Sequence, residues 1–113
     1  MKQFDWMNGL PGAITVCDLD GIVVAMNDKA SEMYRSDGGK ELIGKSLLDC
    51  HPEPAREKLL HLLQTGGTNV YTIEKNGIRK LLYQAPWHQN GQRWGMIELS
   101  LEIPLDIPHF IRK

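Results

Sequence analysis

The stretch Ala13-Ile14-Thr15-Val16-Cys17-Asp18-Leu19-Asp20-Gly21-Ile22-Val23-Val24-Ala25-Met26-Asn27-Asp28 holds two apolar runs rich in β-branched residues, joined by Asp20-Gly21. Such a pair predicts a β-hairpin, because β-branched side chains suit a pleated surface and Asp-Gly accepts the backbone angles of a tight turn. Asn27 or Asp28 then caps a helix, and Lys29 to Tyr34 supplies it, with Ala30, Met33 and Tyr34 on one side.

Downstream, Ser36-Asp37-Gly38-Gly39 reads as a loop, and Lys40 to Ile43 and Ser46 to Cys50 as single helical turns. Pro52-Glu53-Pro54 opens the longest helical pattern, Ala55 to Thr65, which Gly66-Gly67 end. At about 100° per residue, Ala55, Leu59, Leu62 and Leu63 share one face, and Pro54, Lys58 and His61 the other. The remainder is β: Thr68 to Glu74, a turn at Asn76-Gly77, Ile78 to His88, a turn at Gln89 to Gln92, and Arg93 to Ile103. In the last strand Ile97, Leu99, Leu101 and Ile103 alternate with Trp94, Met96, Glu98, Ser100 and Glu102. The apolar set is expected to be the core face. Pro86 inside a strand pattern points to an edge or a bulge. Gln3 to Leu10 is expected to form a short helix before the first strand. The fold class is α+β: a five-stranded antiparallel sheet with short helices packed on one face.

Composition fits this picture. The chain has 113 residues, 42% of them hydrophobic, with 13 Lys+Arg against 14 Asp+Glu. A net charge of −1 offers no clustered basic face for phosphates, so no nucleic-acid partner is expected. No apolar run reaches the roughly 20 residues of a membrane span, and Asp5 interrupts any signal-peptide stretch. A cytoplasmic location is the expectation. Cys17 and Cys50 form neither a disulfide framework nor a CxxC site.

The ordered set of motifs resembles the PAS domain, a small sensory module of bacterial signalling proteins. It is carried by Ile14 to Gly21, Ile22 to Met26 with Asn27 and Ala30, Ile43-Gly44-Lys45, the helix ending at Thr65-Gly66-Gly67, the Glu74-Lys75-Asn76-Gly77 hairpin, and Gly91 to Met96. The resemblance covers about residues 10–103, leaving residues 1–9 as a cap and 104–113 as a tail of one domain. Cys50-His51-Pro52 is similar to a motif of one PAS subgroup. The starting Met and short tail favour a stand-alone module over a fragment, without a fused effector.

The resemblance implies a small ligand or cofactor held between sheet and helices, and signalling through a homodimer or a signalling protein partner. Combined with strand parity, it assigns the ligand cavity to His51, Tyr83, Leu47, Leu48, Leu59, Leu63, Val16, Val24 and Leu99. Phe4, Trp6, Trp94 and Met96 are assigned to a dimer or interaction face. The alternative is a ligand-free interaction module whose interior is filled, and a third reading is a haem-based sensor.

A covalent flavin is disfavoured, because Leu47 stands where the light-sensing subclass has its cysteine. Haem needs an imidazole; His51, His61, His88 and His109 are the candidates, and Leu59 lies near the turn that carries the ligand in oxygen-sensing relatives. His61 falls on the solvent side, His88 beside a turn, and His109 in the tail. His51 either bonds a backbone carbonyl or contacts a ligand, and no resident cofactor is the expectation. No metal site is read, since Cys50 and His51 alone do not supply three or four ligands. No phosphate loop or nucleophile elbow is present, so no enzymatic activity is expected.

Overall fold

The computed structural model describes residues 5–113. Phe4, expected at an interaction face, lies outside the described residues. Five strands, β1 (Ala13–Asp18), β2 (Val23–Met26), β3 (Asn69–Lys75), β4 (Ile78–Gln89) and β5 (Gln92–Ile103), form one antiparallel sheet in the order β2-β1-β5-β4-β3. Helices α1 (Asp28–Met33) and α2 (Ala55–Thr65) and three 3₁₀ turns connect β2 to β3. A further 3₁₀ turn, Asp5–Gly9, precedes β1.

The β1-β2 connection closes as its residues dictate. One Asp18 carboxylate oxygen accepts from the Asp20 and Ile22 amides, each at 2.9 Å, and Gly21 takes φ 81° at no steric cost. Asn27 then does more than cap α1. Its Oδ1 accepts from the Ala30 amide at 3.0 Å and the Ile14 amide at 2.9 Å. Its Nδ2 donates to the carbonyls of Met7 at 2.9 Å and Gly12 at 2.8 Å. The side chain is fully buried. One amide thus joins the N-terminal turn, β1 and α1.

The sheet buries residues on both faces. On the helix side Ala13, Cys17, Val23, Met26 and Met96 pack with Leu42, Leu47, Leu59, Leu62 and Leu63. On the opposite face Ile14, Val16 and Ala25 pack under Met7 of the N-terminal turn, flanked by Trp87, Ile97 and Leu99. This inverts the expectation from parity. Val16 and Leu99 lie on the face away from the helices. Met96, assigned to an interaction face, is 3% exposed in the helix-side core and cannot contribute to one. Alternation separates two faces of a strand but does not say which one the helices cover; here the N-terminal turn covers part of the more apolar one.

Two bulges add local departures. Val16 pairs with Ala25 and Cys17 with Val23, so Val24 is an extra residue, pushed outward to 43% exposure. Trp87 pairs with Gly95 and His88 with Arg93, leaving Trp94 extra in β5. Its ring stacks on Trp87, with centroids 6.3 Å apart. Pro86 is tolerated because β3 stops pairing at Asn69↔Gln84, so no third strand asks for its missing N–H.

Asn27→Ala strands the buried Ile14 and Ala30 amides and the Gly12 carbonyl together, and leaves the Met7 carbonyl only the Leu10 amide. A loss of about 2–4 kcal/mol in urea-unfolding free energy is expected. Asn27→Asp keeps the acceptor but faces two carbonyls without donors, and should recover only part of that loss. An Asn27→Ala protein as stable as the parent would refute this role.

Candidate functional site

The helix-facing side of the sheet is not uniformly apolar. Glu98 on β5 is 5% exposed beneath the helices, and Gln84 on β4 pairs opposite it in register. The Tyr34 hydroxyl, at the end of α1, donates to Glu98 Oε1 at 3.0 Å. Gln84 Nε2 donates to Glu98 Oε2 at 2.7 Å, and Asn69 Nδ2 donates to Gln84 Oε1 at 2.9 Å. A chain of hydrogen bonds therefore runs from the buried carboxylate to the edge strand β3. Thr15, opposite Glu98 in the β1-β5 register, is buried, and its hydroxyl has no partner among the described residues.

Above the outer end of this chain lies a cavity of about 120 Å³, lined by His51, Ala55, Lys58, Leu59, Asn69, Tyr71 and Gln84. Ala55, Lys58 and Leu59 come from the first turns of α2, and His51 from the segment that enters it. His51 Nδ1 donates to the Leu47 carbonyl at 2.8 Å. That bond fixes the ring against the preceding 3₁₀ turn, and in the neutral tautomer it selects, the lone pair sits on Nε2. Lys58 Nζ lies 5.9 Å from the Tyr71 ring centroid at the rim.

Burial and the neighbouring Glu98 carboxylate push the Tyr34 phenol well above its ordinary range. The same two causes raise Tyr71. Burial pushes the Cys17 thiol up to about 11. Cys50 is raised by burial and by Asp37; its Sγ lies 3.2 Å from the Leu47 carbonyl. Neither cysteine is a poised thiolate.

Of the residues assigned to the cavity from sequence, His51 and Leu59 line it. Leu47 and Leu63 are packed in the helix-side core, with Leu48 against its edge. Val16 and Leu99 lie behind the sheet. Tyr83, 40% exposed, pairs with Leu99, so it cannot orient a ligand under the helices. Val24 is turned out by its bulge. Sequence reasoning missed Asn69, Tyr71, Gln84 and the supporting Glu98 and Tyr34. The available signal was Gln84 and Glu98 at matching positions in adjacent strands, two polar side chains on the face that the helices prove to cover. Of the residues expected at an interaction face, Trp94 is 46% exposed, and Trp6 in the N-terminal turn is more so.

A family model described as PAS fold matches residues 7–66, more than half of the chain, from within the N-terminal turn through α2. The chain belongs to the PAS family. PAS domains are sensory domains of signalling proteins, generally not catalytic, and the match does not distinguish the Cys-His-Pro subgroup. No curated protein matches the chain.

Solved structures share the PAS fold. A C-terminal domain from Streptococcus mutans is 23% identical with TM-score 0.69, over 86% of this chain and 79% of that one. VqmA of Vibrio cholerae, a LuxR-type receptor described as a dimer, is 18% identical with TM-score 0.64, over 98% of this chain and 56% of that one. The Vibrio cholerae Aer2 receptor, described as a dual PAS-heme oxygen sensor, is 18% identical with TM-score 0.58, over 87% and 99%. The PAS domain thus spans just over half of the VqmA chain.

The raised tyrosine and thiol groups set a pH window. The folded domain holds these protons where the unfolded chain loses them, so the protonated groups contribute fully below about pH 9 and progressively less as pH rises through 11. Urea unfolding at pH 8, 10 and 11 should show stability falling steadily. Tyr34→Phe should flatten that fall while lowering stability at pH 8 by about 1–3 kcal/mol, because Glu98 Oε1 loses its donor. Equal slopes in the two proteins would remove Tyr34 from this account.

Proposed function

We propose that this PAS domain is a ligand-binding sensor whose site is the cavity between the start of α2, His51 and the β3-β4 edge. The observation that carries this is the polar chain Glu98-Gln84-Asn69 leading from a buried carboxylate to the cavity wall. Polar groups are buried at a cost, and this set lies where a bound molecule would meet its outer end. Leu59 and Ala55 supply apolar contact, and His51 and Asn69 supply orientation.

The occupant is a small molecule. Sites for drug-sized ligands run to about 300–1,000 Å³, and this cavity of about 120 Å³ is smaller. Haem and flavin exceed it. VqmA has been described bound to DPO, which supports reading the fold as one that also takes small ligands.

The output surface is the sheet face opposite the helices, used in a homodimer or against a signalling partner. Trp94, stacked on Trp87, and Trp6 leave large apolar area exposed there.

Native mass spectrometry of freshly purified protein, with its absorption spectrum, tests the site. A colourless protein carrying a bound small mass is expected, and Ala55→Trp, which blocks the mouth from an exposed helix position, should lose that mass without losing the fold. Unliganded protein whose unfolding is indifferent to Ala55→Trp would favour the filled, ligand-free module. For the surface, Trp94→Glu should weaken self-association at least tenfold in sedimentation measurements. A parent that is monomeric at all concentrations would discard the homodimer.

A further inference from the structure

The cavity has a hydrogen-bonding polarity that its residues determine. The Glu98 carboxylate only accepts. Gln84 must therefore turn its NH₂ group to Glu98 Oε2, which leaves Gln84 Oε1 facing Asn69. Asn69 must then spend one N–H on Gln84 Oε1, which leaves its Oδ1 as an acceptor and its second N–H as a donor. His51 is set the same way: Nδ1–H is committed to the Leu47 carbonyl, so the neutral ring offers Nε2 as an acceptor. The two polar side chains that orient a ligand thus present two acceptors, His51 Nε2 and Asn69 Oδ1, beside one N–H of Asn69, the complement of a group that carries both N–H and C=O.

Charge narrows the class further. Lys58 stands at the rim over Tyr71 and disfavours a cation. The buried Glu98 carboxylate behind the polar wall, with its acceptors facing out, disfavours an anion. Size narrows it again. A cavity of about 150 Å³ holds benzene, so about 120 Å³ suits roughly five or six heavy atoms. Ala55 and Leu59 leave one side apolar.

We infer that the site takes a small uncharged molecule that donates hydrogen bonds through N–H, of the amide or lactam class, with its N–H edge toward Asn69 and His51 and its carbon edge toward Ala55 and Leu59. This rests on the sensory-pocket reading above and adds the ligand's chemical class to it.

The probes are 2-pyrrolidinone and cyclopentanone, rings of equal size that differ in an N–H for a CH₂. Each is titrated into the full ¹⁵N-labelled chain while the side-chain amides of Asn69 and Gln84 and the His51 ring are followed by NMR. The lactam should shift these signals saturably, with a dissociation constant at least tenfold below that of the ketone, because Asn69 Oδ1 and His51 Nε2 are left unpaired by a ligand without donors. Asn69→Leu should bring the two probes within about twofold of each other while leaving the rest of the spectrum in place. Equal binding of both rings to the parent would overturn the donor class and keep the pocket. No shift from either ring would overturn the donor class and count against the pocket as well.

Discussion

A single buried amide, Asn27, holds three separate pieces of this chain in one geometry. Its oxygen serves β1 and the first turn of α1, and its nitrogen serves the N-terminal turn and the residue before β1. Each of those backbone groups is buried, and none has an alternative in water. The consequence reaches past capping. Holding the Met7 carbonyl draws the N-terminal turn across the sheet, where Met7 covers Ile14, Val16 and Ala25. The apolar set of β1 and β5 is thereby covered in part without the helices, and the helices pack on the mixed face.

That mixed face makes a polar interior possible. Glu98 could not sit under α1 and α2 as an isolated carboxylate. Tyr34 and Gln84 supply its donors, and Tyr34 reaches it because α1 ends there. Satisfaction of the carboxylate fixes the orientation of Gln84, and Gln84 fixes that of Asn69. The polarity of the cavity wall is thus set several ångströms below it, by a group no ligand need touch.

The parts of the fold legible in sequence were those determined locally. The Asp20-Gly21 hairpin, the Asn27 cap and α2 depend on residues within a few positions of one another, and the turn at Asn76-Gly77 likewise. The choice of sheet face was illegible, because it depends on Asn27 reaching Met7 across twenty residues. The bulges at Val24 and Trp94 were illegible for the same reason: they follow from how one strand registers on another. Of the candidate site, His51 and Leu59 could be found from the start of a helix and its period. Asn69, Gln84 and Glu98 could not, since polar residues at alternate strand positions read first as a solvated face. Glu98 and Gln84 became interior only when helices covered them.

Strand alternation also links the cavity to the opposite face at the shortest possible distance. Gln84 and Glu98 point toward the helices, while their immediate neighbours Ala85, Ile97 and Leu99 lie on the other side, beside Trp87 and the exposed Trp94. A molecule that reorients Asn69 and Gln84 acts on β3 and β4, and through Glu98 on β5, which with β4 is the most extensively paired couple of the sheet. Any displacement of those strands is felt one residue away on the apolar face. A ligand can shift an equilibrium only by the difference in its affinity for the two states. The Glu98-Gln84-Asn69 chain is where such a difference would arise, because its hydrogen bonds are directional: the Asn69 Oδ1 acceptor is satisfied by a donor and left unpaired without one.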